Sequence, residues 1–169
     1  LVTDLMQESA QISLQLSGAN GYKLDHYAGR AVVDSRPFQI FEGSNEMLYG
    51  QIADAILKLM RKAKETNLVK FLASYVNTKD SIHYFSKSLD FNLDYTINQR
   101  DTVTLGRMIA RVICFQFVLN MQGFNNELVE IARQHVAMDL NMFSGQFLSQ
   151  NSANPLFDYS SNSDWMNFV

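Results

Sequence analysis

Glu42, Gly43 and Ser44 are the residues of this sequence whose types and order best suit chemistry. A carboxylate can act as a general base, and the glycine that follows lets a ligand approach the backbone closely. Ser44 is a good N-cap, and the apolar pair Met47 and Leu48 predicts that a helix begins directly after it. The segment therefore predicts a potential base on a turn at the start of a helix.

A second segment, residues 15–22, combines a helix end with a glycine-rich turn. It reads Gln-Leu-Ser-Gly-Ala-Asn-Gly-Tyr, and Gly18 and Gly21 suit the positive φ at which many helices end. Gln15 precedes Glu42 by 42 − 15 = 27 positions. Two motifs at a defined separation are more specific than either motif alone.

Together the two segments resemble the C-terminal end of the flavin-dependent acyl-CoA dehydrogenases. That family has a helix that ends in Gln-x-x-Gly-Gly-x-Gly-Phe/Tyr and, at the same separation, Ile-Tyr/Phe-Glu-Gly-Thr-x-x-Ile. The resemblance covers residues 1 to about 62, the last helices of the family's C-terminal helical bundle. It implies a fragment of a longer protein, whose N-terminal helices, middle β-domain and start of the bundle lie outside this chain.

The resemblance implies that Glu42 is the catalytic base. In the family the matching glutamate removes a proton from the carbon alpha to the acyl-CoA thioester, and a hydride passes from the beta carbon to the flavin. Such a proton is weakly acidic, so the carboxylate must be positioned and desolvated until its pKa rises. The backbone N–H of Glu42 is implied to stabilise the enolate-like oxygen, and Gly43 to lie along the substrate.

The same resemblance implies FAD as the cofactor. Ser44 replaces the family's threonine and keeps a hydroxyl that can donate and accept a hydrogen bond. Glu46 either accepts a hydrogen bond from a ribose of the flavin nucleotide or acts as a capping-box acid at the helix start. Ala19 replaces the second glycine of the family pattern, and residues 18–21 also suit an ordinary helix end. The implied FAD contacts are Gln15, Leu16, Ser17, Gly18, Ala19, Ser44 and Glu46.

The implied partners are an acyl-CoA substrate, an electron-transfer flavoprotein as acceptor, and further copies of the chain in a dimer or tetramer that shares FAD contacts. The implied compartment is the bacterial cytoplasm or the mitochondrial matrix. Two alternatives stay open: a relative of the acyl-CoA oxidases, in which reduced flavin reacts with oxygen, and a non-catalytic helical interaction module. Only flavin-facing residues outside this chain would separate the oxidase from the dehydrogenase, and bound FAD in the full-length protein would decide against the interaction module.

The composition indicates a globular chain and disfavours several classes of function. Its 169 residues are 47% hydrophobic, with a net charge of −3 that offers no basic face for nucleic acid. Cys114 is the only cysteine, so we predict no internal disulfide and a buried, unreactive thiol. The three histidines are too dispersed for a metal site, and the run Val112–Leu119 is too short to cross a bilayer.

The hydrophobic pattern predicts an all-α fold. Residues 1–64 are expected to form the end of the dehydrogenase bundle, and residues 66–169 an additional helical domain like that of the very-long-chain members. We expect this domain to serve assembly and to contribute no catalytic group. Helices are predicted at 1–15, at 25–33 with Asp25 as N-cap, at 44–64, at 78–95 with Thr78 or Asp80 as N-cap, and at 101–119 with Asp101 as N-cap. A short apolar segment at 68–76, a last helix from 125 or 126 and an irregular tail from 149 complete the prediction. The third helix has an apolar stripe of Leu48, Ile52, Ala55, Ile56 and Leu59, and one face of the last helix carries Leu128, Ile131, Ala132, Val136, Leu140, Phe143 and Phe147.

Overall fold

The computed structural model describes residues 1–23, 25–41, 43–121, 123 and 125–149. Over these residues the chain forms seven α-helices and no strand, which confirms the predicted all-α fold; one isolated antiparallel bridge joins Asn67 to Asn92. The helices are α1 Val2–Leu16, α2 Tyr27–Ser35, α3 Asn45–Ala63, α4 Leu68–Ser74, α5 Ser86–Leu89, α6 Gln99–Asn120 and α7 Asn126–Leu148. Short 3₁₀ turns span Gly18–Tyr22, Arg36–Gln39 and Ile82–Tyr84.

Side-chain caps define where the long helices begin. Ser44 Oγ accepts from the N–H of Met47 at 3.3 Å and starts α3, and Asn125 Oδ1 accepts from the N–H of Glu127 at 2.9 Å and starts α7. Both starts agree with the sequence-based prediction. The end of α3 also agrees, because Lys64 adopts the left-handed conformation with φ 56° that terminates helices.

Two predicted N-caps are wrong, and in each case a neighbouring side chain takes the role. His26 caps α2 in place of Asp25, since its Nδ1 accepts from the N–H of Ala28 at 3.3 Å. Asn98 caps α6, and Asp101 instead lies in the first turn, where its N–H donates to Asn98 Oδ1 at 2.9 Å. In both cases a side chain within three residues of the predicted cap competes for the same free N–H groups.

The continuous helix predicted for residues 78–95 is wrong. Only the turn Ile82–Tyr84 and the four-residue α5 are helical there. Thr78 is fully buried and its hydroxyl donates to the carbonyl of Leu72 at 2.6 Å, while the Ser81 hydroxyl donates to the carbonyl of Val112 at 3.0 Å. These bonds hold the segment against α4 and α6. Hydrogen bonds from Ser and Thr side chains to backbone carbonyls compete with a continuous helix.

One hydrophobic core contains residues of α3, α4, α5, α6 and α7, and α6 packs against both α3 and α7. Helices α1 and α2 pack mainly against each other. The core residues of α6 are Leu105, Met108, Ile109, Val112 and Phe115. By length and composition alone α6 could cross a membrane, but within the fold it is a core helix. The division into units 1–64 and 66–169 stays a prediction, although α3 shares its core with the second unit.

The apolar stripe predicted for α3 is only partly correct. Ile56 is buried and Ile52 packs against the core, whereas Leu48 and Leu59 are 41% and 42% exposed. The buried face consists of Tyr49, Ala53, Ile56, Leu57 and Met60. One residue rotates a helix face by about 100°, and the face is selected by where α6 packs.

The stripe predicted for α7 is correct only toward its C-terminal half. Leu140 and Phe143 are buried, whereas Leu128 and Ile131 are 51% and 56% exposed. Cys114, predicted to be buried, is half-buried, and desolvation raises the pKa of its thiol. The predicted irregular tail lies, from residue 150 onward, outside the described residues.

Helices α3 and α6 approach each other most closely at Gly106. A Cβ atom added there would lie 1.9 Å from the carbonyl oxygen of Tyr49 and 2.5 Å from its carbonyl carbon. Because backbone atoms of α3 cannot move aside as a flexible side chain can, any larger residue must push the two helices apart. Gly106 is therefore required for this helix crossing.

We expect Gly106→Ala to lower the free energy of unfolding of the 169-residue chain by about 1–3 kcal/mol, through overpacking. Urea unfolding monitored by circular dichroism measures the change. Gly50→Ala is the matched control, because a Cβ at Gly50 of α3 meets nothing within 4 Å. That control should be neutral or stabilising by about 1 kcal/mol. Equal stability of the two variants would contradict the role given to Gly106.

Candidate functional site

The segment that carries the candidate base is described by its two flanks, because Glu42 itself lies outside the described residues. On the N-terminal side the 3₁₀ turn Arg36–Gln39 leads to Phe41, whose N–H donates to the carbonyl of Pro37 at 2.9 Å. On the C-terminal side Gly43 has φ +111°, a conformation that favours glycine, and Ser44 starts α3. Both flanks thus have the predicted arrangement of a turn followed by a helix.

The predicted cofactor residues Ser44 and Glu46 lie in the first turn of α3. The Ser44 oxygen already accepts the capping hydrogen bond from the N–H of Met47, so a second partner would use its hydroxyl hydrogen. Glu46 does not act in a capping box, which requires the acid one position later, at Met47. Its Oε1 instead accepts from Nη2 of Arg107 at 3.3 Å, across from α6.

Arg107 is a site residue that sequence reasoning missed. Its guanidinium carbon lies 5.8 Å from the centre of the Tyr49 ring and 5.9 Å from that of Phe143, within the range of cation–π attraction. The Arg107 side chain is 35% exposed and the Glu46 side chain 70%. No local pattern links positions 46 and 107, so only the packing of α6 on α3 brings them together.

Asp4 of α1 connects the two flanks of position 42. Its Oδ1 accepts from Nε2 of Gln39 at 2.7 Å, on the turn before that position. After it, Asn45 Nδ2 donates to Oδ1 at 2.6 Å and the Tyr49 hydroxyl donates to Oδ2 at 2.6 Å. One half-buried carboxylate therefore holds together the turn, the start of α3 and the start of α1.

The protonation states of this network follow from its hydrogen bonds. Burial by itself raises the pKa of Asp4, but the hydrogen bonds from Tyr49, Asn45 and Gln39 outweigh it and hold the pKa below its ordinary value. Burial and the hydrogen bond to Asp4 raise the pKa of Tyr49. At neutral pH the pair is therefore an ionised carboxylate and a neutral phenol.

Two cavities flank this network. A polar pocket of about 280 Å³ is bounded by Asp4, Arg36, Gln39, Ile40, Ser44, Asn45, Glu46, Tyr49 and Arg107. A larger and more apolar groove of about 660 Å³ is bounded by Gln7, Gln11, Val32, Val33, Arg36, Pro37, Ile40 and Phe41. The turn at residues 36–41 separates a polar space from an apolar one, on the segment that leads to Glu42.

The other predicted cofactor segment, residues 15–19, lies at the opposite end of α1. Gln15 and Leu16 are exposed, Leu16 by 84%, while the Ser17 hydroxyl donates to the carbonyl of Ser13 at 2.8 Å. Of the two glycines predicted to have positive φ, Gly18 does, at +54°, and Gly21 does not. Ala19 has no positive φ either, so alanine is free of strain there. Gln15 lies eleven residues along α1 from Asp4, a rise of about 16 Å at about 1.5 Å per residue, and Asp4 borders the pocket that holds Ser44 and Glu46.

The comparisons with known proteins give a family match for the segment that contains the two motifs. Residues 1–57 match the family model of the acyl-CoA dehydrogenase C-terminal domain. The match contains both motifs and ends within α3, before α4 to α7 begin. It confirms the predicted resemblance for this part of the chain. Neither the curated proteins nor the solved structures gave a match. Across the residues the structure describes, no group of three or more His, Cys, Asp or Glu could hold a metal ion.

Asp4→Asn should destabilise the 169-residue chain at neutral pH, because the depressed pKa of Asp4 means that its ionised form stabilises the fold. This contribution is present above the unfolded-state pKa of about 4 and is lost as pH falls through the lower folded-state pKa. The difference in Tm between the variant and the native chain should therefore shrink from pH 7 toward about pH 2. Asp54→Asn, at an exposed site of α3, is the control. A difference in Tm independent of pH would contradict the role of the Asp4 charge.

Proposed function

Because residues 1–57 match the acyl-CoA dehydrogenase C-terminal domain, we propose that this chain is the C-terminal part of such an enzyme. The intact protein would oxidise an acyl-CoA thioester to the trans-2-enoyl-CoA, with Glu42 as the base. The observation that carries the proposal is the occurrence of both motifs, 42 − 15 = 27 residues apart, inside the matched segment. The family match by itself supports an oxidoreductase-type domain, and the specific reaction is our inference.

The proposed chemistry requires two groups from residue 42. The carboxylate of Glu42 takes the proton from the alpha carbon, and the electron pair left behind forms the new double bond as a hydride leaves the beta carbon. FAD, when bound, supplies the hydride acceptor. The backbone N–H of Glu42 would meanwhile stabilise negative charge on the thioester oxygen, and Gly43 would allow the acyl chain close to the backbone.

The described residues fit a nucleotide cofactor at two separate places. The Ser44 hydroxyl hydrogen and the exposed Glu46 carboxylate border the polar pocket at the start of α1. Gln15 to Ala19 are largely exposed at its other end, where a Cβ at Gly18 would meet nothing within 4 Å. Groups at opposite ends of α1 suit either different parts of one FAD or the FAD molecules of two subunits, and the family resemblance favours the second arrangement.

A homo-oligomer is part of the proposal, and the surface of the first helices supports it. Large apolar side chains are exposed here: Leu16 by 84%, Tyr22 by 79%, Tyr27 by 70% and Val33 by 57%. Apolar surface of this extent is typical of faces that other parts of a protein or another subunit cover. An electron-transfer flavoprotein as acceptor, and a bacterial cytoplasmic or mitochondrial matrix location, are proposed from the family resemblance.

Glu42→Gln in the full-length protein should leave FAD bound and slow flavin reduction by an acyl-CoA about 10²–10⁴-fold, because the amide cannot accept the proton. Stopped-flow absorbance of the flavin measures the rate. Glu8→Gln, at an exposed carboxylate of α1, is the matched control and should reduce flavin at the native rate. If Glu42→Gln retained a third of the native rate, Glu42 would not be the base.

The isolated 169-residue chain should purify as a helical but colourless protein. The flavin ring needs the domains that this chain lacks, and the contacts at Ser44 and Gln15 to Ala19 cannot offset the entropy lost on binding. Far-UV circular dichroism and visible absorbance after incubation with FAD test this together. Stoichiometric yellow flavin on a folded chain would contradict it.

A further inference from the structure

Helix α6 reaches the candidate site although it lies outside the matched segment, which ends at residue 57. At Gly106 its backbone meets that of Tyr49, and the next side chain, Arg107, extends toward the first turn of α3. There Arg107 Nη2 donates to Glu46 Oε1 at 3.3 Å. The second helical region therefore contributes a cation directly beside a predicted cofactor residue.

The Arg107 side chain is held in place by its surroundings, whereas Glu46 is not. The Arg107 guanidinium lies over the faces of the Tyr49 and Phe143 rings. A second guanidinium, that of Arg111, also lies over the Phe143 ring, with its carbon 4.5 Å from the ring centre. Arg111 is itself paired to Asp139 of α7. Glu46 is 70% exposed, and Arg107 is the partner that the structure gives it. In this pair the arginine is the fixed member and the glutamate the member that it orients.

We propose that Arg107 is a positioning residue of the cofactor site, which orients the Glu46 carboxylate to accept a hydrogen bond from a ribose hydroxyl of FAD. This inference rests on the function proposed above. A carboxylate accepts strongly from hydroxyl donors, and holding it in one rotamer removes an entropic cost of binding. Arg107 acts through Glu46 and touches no reacting atom, which agrees with the expectation that residues 66–169 contribute no catalytic group.

The other charged groups around the pocket are engaged elsewhere. Arg36 Nη1 donates to Gln39 Oε1 at 2.7 Å, and Asp4 accepts from Gln39, Asn45 and Tyr49. Arg36 has no ion pair with Glu46 among the described residues. Arg107 is therefore the residue through which the second helical region can control the orientation of this carboxylate.

The test is a double-mutant cycle on the full-length protein, with FAD affinity as the readout. We expect Arg107→Gln to weaken FAD binding about three- to tenfold, in the range of a partly exposed charged hydrogen bond, and Glu46→Gln to do the same. In the Glu46→Gln background, Arg107→Gln should have no further effect. Arg107→Lys, which keeps the charge, should retain most of the affinity. Arg133→Gln, which breaks the exposed pair with Glu130 on α7, is the control.

The outcomes separate this inference from the proposed function. If FAD binds and Arg107→Gln leaves its affinity unchanged, or weakens it equally with and without Glu46, the positioning role is wrong and the proposed function stands. If the full-length protein binds no FAD, the proposed function fails first. Circular dichroism checks folding of each variant; if Arg107→Gln fails to fold, Glu46→Gln and Arg107→Lys decide instead. Native FAD affinity in Glu46→Gln would overturn the proposal.

Discussion

The close approach of α3 and α6 at Gly106 is the constraint on which the rest of this structure depends. Without a side chain at 106, the backbone of α6 lies against Tyr49, and the two helices share one core with α4, α5 and α7. The crossing places Tyr49 so that its hydroxyl meets Asp4 of α1. It also places Arg107 beside Glu46. One backbone contact thus places the residues that surround the flank following residue 42.

Hydrogen bonds to Asp4 add to the apolar core in fixing the position of the segment around residue 42. The carboxylate of Asp4 binds Gln39 before position 42 and Asn45 and Tyr49 after it, so α1 restrains the turn from both sides. Such half-buried hydrogen bonds to an ionised group are stronger than neutral ones and are costly to leave unmade. The carboxylate of Glu42, which we propose as the base, would benefit from this kind of support, because a catalytic group has to match its substrate within a fraction of an ångström.

Several features of the fold could be predicted because they depend on residues close in sequence. The caps at Ser44 and Asn125, the end of α3 at Lys64 and the turn after α1 each involve an interaction over two to four residues. The wrong N-caps at Asp25 and Asp101 are also local, since a nearby side chain takes the role in each case. The wrong helix at 78–95 has a long-range cause instead: the Ser81 hydroxyl donates to the carbonyl of Val112 in α6, 31 residues away, and no local pattern reveals such a bond.

The sequence by itself determined the helical class, the starts of α3 and α7 and the pair of motifs within the matched residues 1–57, because residue type and short spacing specify these. Only the tertiary structure decided which face of α3 is buried, since consecutive positions differ by about 100° and several faces are apolar enough. It alone brought Asp4 to the candidate site, and Arg107 to Glu46 across sixty-one positions of chain. Contacts between helices depend on how complete surfaces fit, and that information is distributed over the whole chain.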